Sequence, residues 1–500
     1  MRSIAFLMSF NRLSIRKFLI LSTLVFLSSG TYGLIQAWEK LIVPGLSYRM
    51  ELDDAGPKVI HAFRYSIGSD FIRLGTEIAK GKVFSENPRR GCETLQTLVK
   101  NNGAIGGING DFFPFLGMSV PLGLMIRNGE IMRSPYPSRS FFGWGSLRSE
   151  MSQMGWSAKL SFFHATSGEE ETISLSGLNQ ECGQNSVVLN TEAAGYATAK
   201  LPNLYVELEM NSTEWVPNRN FEAKVHCLHA DKPNLQVKKN VLVLAAKGNQ
   251  ILKLLKLKSE QKVFIQIDTN GINLADIHHA VGGGPTLCRN GTIFVDWKEQ
   301  GFKPYFAQQK CARTAIGKTV DGDIWLVVVD GKDPDKKNHY FSQGANLREL
   351  AQIMLRFGCV DAMNLDGGGS STFNLFSRTF NRPSDQPDRK IANAILLYGE
   401  IPQNKIEGNK IEGPSVIKMG STAAYCIKNK DGAMLNNSEI YWVATGKGWV
   451  DQGGMLHPLQ PGTIKLTACV GNSSLEQEIE ILAANGPEKR EKKRGASSKS

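Results

Sequence analysis

From residue 34 to about residue 85 apolar and polar positions alternate, most clearly through 41–50 and 58–65, and this period of two predicts β-strands. Helical spacing replaces it at 93–100, where Leu95 and Leu98 share a face, and again at 347–357. In the second segment Leu347, Leu350, Ile353, Met354 and Phe357 form one apolar stripe, and Gly358 offers a C-terminal stop. Short β-branched runs at 263–267, 324–329 and 391–397 read as strands buried on both faces. Together these signals predict an α+β fold over 34–400, built on a mixed sheet with few helices.

The pattern breaks at 401–414, a polar stretch rich in Gly and Pro in which Asn-Lys-Ile-Glu-Gly occurs twice, and this predicts a linker. Short strands punctuated by turns return from 415 to 484, with Trp442 lying between Cys426 and Cys469, as in a small all-β sandwich. At the other end Arg2, Arg12, Arg16 and Lys17 precede the apolar run 18–27, which gives way to Ser28, Ser29 and Gly30. That is a signal-peptide pattern over 1–33, and an uncleaved anchor is its alternative. Export of the body follows from it as an expectation: periplasmic, cell-surface or secreted, with no membrane span left after cleavage.

Composition adds two constraints. The chain is 500 residues long, 41% hydrophobic and 21% charged, which describes globular domains and excludes a disordered polymer. The net charge of +11 would suit a nucleic-acid partner, but six Lys or Arg fall within residues 488–500, so a solvated basic tail over 485–500 accounts for much of it. The expected partners are a glycan or sugar-phosphate substrate and an anionic cell-envelope polymer, with no nucleic acid. Eight cysteines lack the close paired spacing of a zinc site, the sequence leaves a metal requirement open, and no cofactor is expected. In an exported chain some could bridge, Cys426 with Cys469 first and Cys288 with Cys311 second.

Candidate chemistry lies in glycine-rich segments at strand ends. They are 106–113 (Gly-Gly-Ile-Asn-Gly-Asp-Phe-Phe), 281–285 (Val-Gly-Gly-Gly-Pro), 312–317 (Ala-Arg-Thr-Ala-Ile-Gly) and 364–371 (Asn-Leu-Asp-Gly-Gly-Gly-Ser-Ser). A triple glycine by itself is more often tight packing than a site. In 364–371, however, a carboxylate precedes three approachable amides and two hydroxyls, which suits an anionic ligand with a reacting centre beside it. Neither the phosphate-binding P-loop nor the dinucleotide fingerprint fits the spacing. Arg313 offers a planar fork for phosphate oxygens, with Thr314 next to it.

Taken in order, Ile-Asn-Gly-Asp-Phe-Phe, Ala-Arg-Thr-Ala-Ile-Gly, Val-Asp-Gly-Lys at 329–332 and Asn-Leu-Asp-Gly-Gly-Gly-Ser-Ser resemble the phosphodiester glycosidase family over about residues 95–400. The order of Gly420, Asp431-Gly432, Trp442 and 461–468 likewise resembles the bacterial group 2 immunoglobulin-like domain. The first resemblance implies a hydrolase that cleaves a sugar-1-phosphodiester at the anomeric carbon, giving free sugar, an N-acetylhexosamine by expectation, and a phosphomonoester. It implies catalytic roles for Asp366, Asp330 and Arg313, and substrate contacts from Asn109, Gly110, Asp111, Thr314, Asn364, Gly367, Gly368, Gly369 and Ser370. Asp111 is the least general of these, the family often carrying glycine there. His278 and His279 match no motif and are expected to pack or face solvent. Two rivals stand beside the glycosidase: a non-catalytic envelope polysaccharide-binding protein, and metal-dependent hydrolysis at phosphorus.

Overall fold

The computed structural model describes residues 34–484, apart from 55, 88–90, 115–119, 165–166, 211–216, 272, 333–340 and 402–405. The expected signal segment and basic tail lie outside the described residues. Strand accounts for 49% and helix for 10%, so the fold is predominantly β, and the α+β expectation is corrected. The two helical patterns do form helices, Leu95–Asn101 and Leu347–Arg356, but the central third of the chain supplies only strands and single turns. The expected mixed sheet is corrected too. Among the described residues every pair of strands between 34 and 400 is antiparallel, because parallel neighbours need long crossover helices and none is described there.

The buried runs explain the misreading. Along Ile324–Val329, Ile324, Leu326 and Val328 enter one core while Trp325, Val327 and Val329 enter another. Both faces are covered, but by a second sheet on one side and the helix Leu347–Arg356 on the other. This strand sits inside an eight-stranded sheet, next to Arg313–Thr319, which in turn pairs with Cys359–Asn364. Packed on it is a five-stranded sheet in which Gly106–Asn109 lies between Phe373–Leu375 and Asn393–Gly399. A seven-stranded sheet, running from Glu170–Leu175 to Val187–Asn190, carries its own cores.

The helix Leu347–Arg356 starts on a capping box: Asn346 Oδ1 accepts from Glu349 N, and Glu349 accepts from Asn346 N, both at 2.9 Å. Its predicted apolar stripe is the buried face, and Gly358 stops it at φ +82°. No helix among the described residues is long and apolar enough to cross a membrane.

Residues 406–484 form a smaller all-β unit around Trp442, with one parallel strand pair among the described residues, Val416–Lys418 beside Ser473–Leu482. Part of the stretch read as linker is ordered strand, Lys410–Glu412 pairing with Cys426–Lys428. This unit is docked on the larger one. Tyr441, Val443, Leu459 and Cys469 belong to the same buried cluster as Ile42, Tyr48 and Phe373. Tyr441 Oη donates to Leu41 O at 2.8 Å, and the Lys40 ammonium donates to Asn437 O and Ile440 O. The expected Cys426–Cys469 bridge is absent, as is Cys288–Cys311. Cys426 pairs with Glu412 in a two-stranded sheet, whereas Cys469 lies in the four-stranded sheet facing the larger unit, so their thiols have different neighbours.

Candidate active site

Two strands from facing sheets end side by side. Gly106–Asn109 runs into Gly110 and Asp111, and Cys359–Asn364 runs into Leu365 and Asp366. The two loops are bonded directly: Asn109 Nδ2 donates to Asp366 O at 2.8 Å, and Asp366 N donates to Gly110 O at 3.1 Å. Asn109 Oδ1 also accepts from Thr314 Oγ1 at 2.8 Å and from Thr372 N at 3.2 Å. Asn109 and Thr314 are fully buried. Both ends of the Asn109 amide are therefore engaged in joining the sheets, and this residue braces the site where a sugar contact was expected.

Asp111 is buried, yet well supplied with donors. Its carboxylate accepts from Phe112 N at 2.7 Å and Gly123 N at 2.5 Å, while its own N–H donates to Asn393 Oδ1 at 2.8 Å. The first glycine of the triple-glycine run explains itself here: a Cβ on Gly282 would stand 2.7 Å from Asp111 Oδ2. Gly283 and Gly284 are equally crowded, against Asn364 O and Gln300 Oε1, so 281–285 is a packing element beneath the carboxylate. Asn364 Nδ2 closes that contact on Gly284 O at 2.9 Å.

Asp366, half-buried, accepts from Gly367 N at 2.9 Å and from the Ser370 hydroxyl. Burial raises its pKa from 3.8 to about 6, and the nearby Asp111 charge adds to the rise against the pull of Ser370, Gly367 N and Arg389. Burial likewise raises Asp111 to about 6, opposed by its two N–H donors and by Arg139 and Arg133. The structure thus places on bonded neighbouring loops two carboxyls that both hold protons well above the usual aspartate range, the Asp111 charge adding to the rise of Asp366.

The glycine loop does not present the open row of amides expected of it. Gly367 N is bonded to Asp366 itself, Gly368 N to Ala312 O at 2.8 Å, and Ser370 N to Gly367 O. Gly368 is needed for its φ of +62°, and Gly369 because a Cβ there would meet the Asp385 carboxylate at 2.2 Å. Asp385 in turn accepts from Arg389 Nε and Nη2, each at 2.7 Å, and Arg389 Nη1 reaches Ser370 Oγ at 3.3 Å.

Arg313 and Asp330 are placed behind the loops. Arg313 donates from Nε to Ala345 O at 3.0 Å and from Nη2 to Phe306 O and Gln309 O at 2.7 and 2.9 Å, so its fork grips backbone. Asp330 accepts from Asn381 Nδ2 at 2.8 Å and Arg382 N at 3.1 Å, with His61 Nε2 at 3.7 Å. It reaches the glycine loop only through Asn381, whose Nδ2 also donates to Ser371 O at 3.1 Å. None of these bonds joins Asp330 to the Asp366 carboxylate.

Sequence reasoning missed a cation that acts on Asp111. Arg139 lies over Phe302, Tyr136 and Phe112, its guanidinium carbon 4.3, 4.7 and 5.3 Å from their ring centres. Its Nε and Nη1 are buried without a hydrogen-bond partner among the described residues. Burial lowers its pKa, and Asp111 opposes that shift. Residues 134–140 show no periodicity, so nothing marked Arg139 beforehand; Asn381, Asp385, Arg389 and Asn393, by contrast, follow closely on the last motif. His279 is buried against Trp144, and burial pushes it down to about 4; as expected of the pair, it packs, while His278 is exposed. A cavity of about 780 Å³ between the two units is lined by His61, Arg378 and Trp449, among others, and by neither carboxyl of the pair.

Fold and site together define an antiparallel β protein with a coupled pair of aspartates where two facing sheets meet. Residues 216–398, which hold Asp366 but begin after Asp111, match the family model described as "Phosphodiester glycosidase". N-acetylglucosamine-1-phosphodiester alpha-N-acetylglucosaminidase of Bos taurus is 36% identical over 108 residues, 20% of this chain and 19% of that protein. The Homo sapiens protein of that name is 36% identical over 108 residues, 20% of each chain. The matched part is thus about a fifth of the length of these curated relatives. Among solved structures, a hypothetical protein from Synechocystis superposes with a TM-score of 0.59 at 21% identity, covering 72% of this chain and 63% of its own. One from Burkholderia pseudomallei gives 0.54 at 19% identity, covering 69% and 74%. These two share the fold.

Proposed function

We propose that the chain hydrolyses a sugar-1-phosphodiester at the anomeric carbon, with Asp366 and Asp111 as the working carboxyl pair. The observation that carries this reading is their mutual placement: two aspartates, each held near pKa 6, on neighbouring loops within a segment related to phosphodiester glycosidases. With both carboxyls raised to about 6, forms with one carboxyl ionised and the other protonated are populated near pH 6. In the reaction the bond between C1 and the phosphoryl oxygen breaks and water supplies the new C1 hydroxyl. Asp366 takes the proton of that water or attacks C1 directly, and the protonated partner donates to the departing oxygen.

Negative charge builds on the phosphoryl oxygen as its bond to C1 breaks, before the proton has fully arrived, so a fixed cation beside the leaving oxygen favours cleavage. Arg139 fits that task better than Arg313, because two of its buried N–H groups have no partner among the described residues while the Arg313 fork holds backbone carbonyls. The sugar is proposed to be an N-acetylhexosamine on the strength of the named relatives. Export is part of the proposal, supported by the basic-then-apolar pattern of residues 2–30. An anionic envelope polymer as partner rests on the basic run 489–494.

Product analysis on a small sugar-1-phosphodiester tests the reading. Free sugar with phosphomonoester is expected. Sugar-1-phosphate would move the reaction to phosphorus, and binding without turnover would make the chain a glycan-binding protein.

A further inference from the structure

Glu207, Cys227 and His229 meet on the seven-stranded sheet, away from the loops that carry Asp111 and Asp366. The strands Asn203–Met210 and Asn220–Ala230 pair antiparallel, with Glu207 opposite Cys227, and His229 two residues along on the same side of its strand. The ladder shifts register directly after Glu207. Cys227 Sγ stands 3.2 Å from His229 Nε2, and that nitrogen 3.0 Å from Glu207 Oε1. Cys227 is also hydrogen-bonded to Glu207, so all three sides of the triangle are contacts.

Hydrogen bonding alone satisfies this triangle poorly. With Glu207 ionised, the thiol and the imidazole bring at most two protons to three close contacts, and Nε2 cannot offer its proton and a lone pair at once. A divalent cation at the centre would engage a lone pair from every corner. Bonds of about 2.0–2.3 Å put tetrahedral zinc ligands about 3.3–3.7 Å apart, a few tenths of an ångström beyond the spacing here. The donor set of one thiolate, one imidazole and one carboxylate is a zinc-type set. Glu207 is buried, while Cys227 and His229 are half-buried, which leaves a path for an ion and room for water as fourth ligand.

We propose that Glu207, Cys227 and His229 are the protein ligands of a zinc-class divalent metal site that staples the two strands at the register shift. On binding, the Cys227 S–H bond breaks and its proton goes to solvent; thiolate, carboxylate and the neutral imidazole lone pair coordinate, and no electrons are exchanged. Close spacing of cysteines in sequence could not reveal the site, because its third ligand comes from the neighbouring strand.

The test uses the full chain, stripped with chelator and titrated calorimetrically with zinc, then with cobalt followed by absorbance. One ion per chain is expected, together with a thiolate-to-cobalt charge-transfer band. Cys227→Ser and His229→Gln should each weaken zinc binding at least about tenfold, whereas Cys426→Ser should leave it unchanged. Failure of the wild-type chain to bind one equivalent, a cobalt complex lacking the thiolate band, or equal affinity in both variants would overturn the site. The wild-type cobalt spectrum decides alone if the variants fold poorly.

Discussion

Arg139 and Asp111 attract each other across the candidate site, yet no hydrogen bond between them is made, and the buried Arg139 Nε and Nη1 have no partner among the described residues. A buried unpaired donor costs about 1–3 kcal/mol, so the fold keeps this cation at a cost that an anionic ligand would offset. Arg139→Ala should therefore cut turnover at least about a hundredfold without lowering the melting temperature. Arg313→Ala should do the reverse first. Its charge-assisted bonds to three carbonyls are worth roughly 1.5–3 kcal/mol each, so it should lower stability clearly. Parallel melting curves and rates for the two variants check this, and a stability loss confined to Arg139→Ala would reverse the assignment.

Asp366→Asn and Asp111→Asn should each lower turnover by at least about a hundredfold, the scale on which acid, base and covalent groups act. Asn at 111 can accept from only one of Phe112 N and Gly123 N, so a modest loss of stability accompanies that variant. Normal rates in a folded Asp366→Asn protein would remove that residue from the mechanism.

The pH dependence has a definite sign. Both carboxyls rise from 3.8 to about 6 on folding, so proton binding favours the fold: their contribution to stability is complete below about pH 4 and is lost as pH rises through 6. Activity should instead peak near pH 6, where one proton is shared between them, with both limbs belonging to the pair. Asp111→Asn should flatten the alkaline limb in whatever activity remains. A wild-type profile level from pH 4 to 8 would show that the pair does not govern the rate-limiting step.

How far the sequence could be read depended on the range of the signal. The helix Leu347–Arg356 and the strand Ile324–Val329 were legible because their patterns are local, and two of the four motifs lie on the loops that the structure bonds together at Asp111 and Asp366. Roles within those loops were not legible. The family resemblance implied a substrate contact for Asn109, but its amide is bonded to partners over 200 residues away, Thr314 and Asp366. Arg139 comes from a stretch without periodicity and is identified only by the rings packed on it. Sheet direction was misread for a related reason: burial on both faces of a strand says that two layers cover it, not that its neighbours run parallel.

Removal of the C-terminal unit should destabilise the whole protein. Read as a module on a flexible linker, the unit would be dispensable, and a chain ending at Tyr398 would fold and act alone. The packing argues otherwise. Tyr441, Val443 and Leu459 lie in one buried cluster with Tyr48, Phe63 and Phe373, and Phe341 packs tilted against Trp449 with ring centres 5.4 Å apart. A large apolar side chain contributes about 1.5–3 kcal/mol when fully buried, so losing several contacts of this kind removes much of a typical 5–15 kcal/mol stability. Beneath the interface, Tyr48 Oη bonds His61 Nδ1 at 2.9 Å, and His61 faces Asp330, which holds Asn381 and through it Ser371 of the glycine loop. Truncation at Tyr398 should accordingly lower the melting temperature by about 10 °C or more and reduce activity on a small soluble substrate along with it. Full activity and an unchanged melting curve for the truncated chain would show that the contact is incidental to the fold.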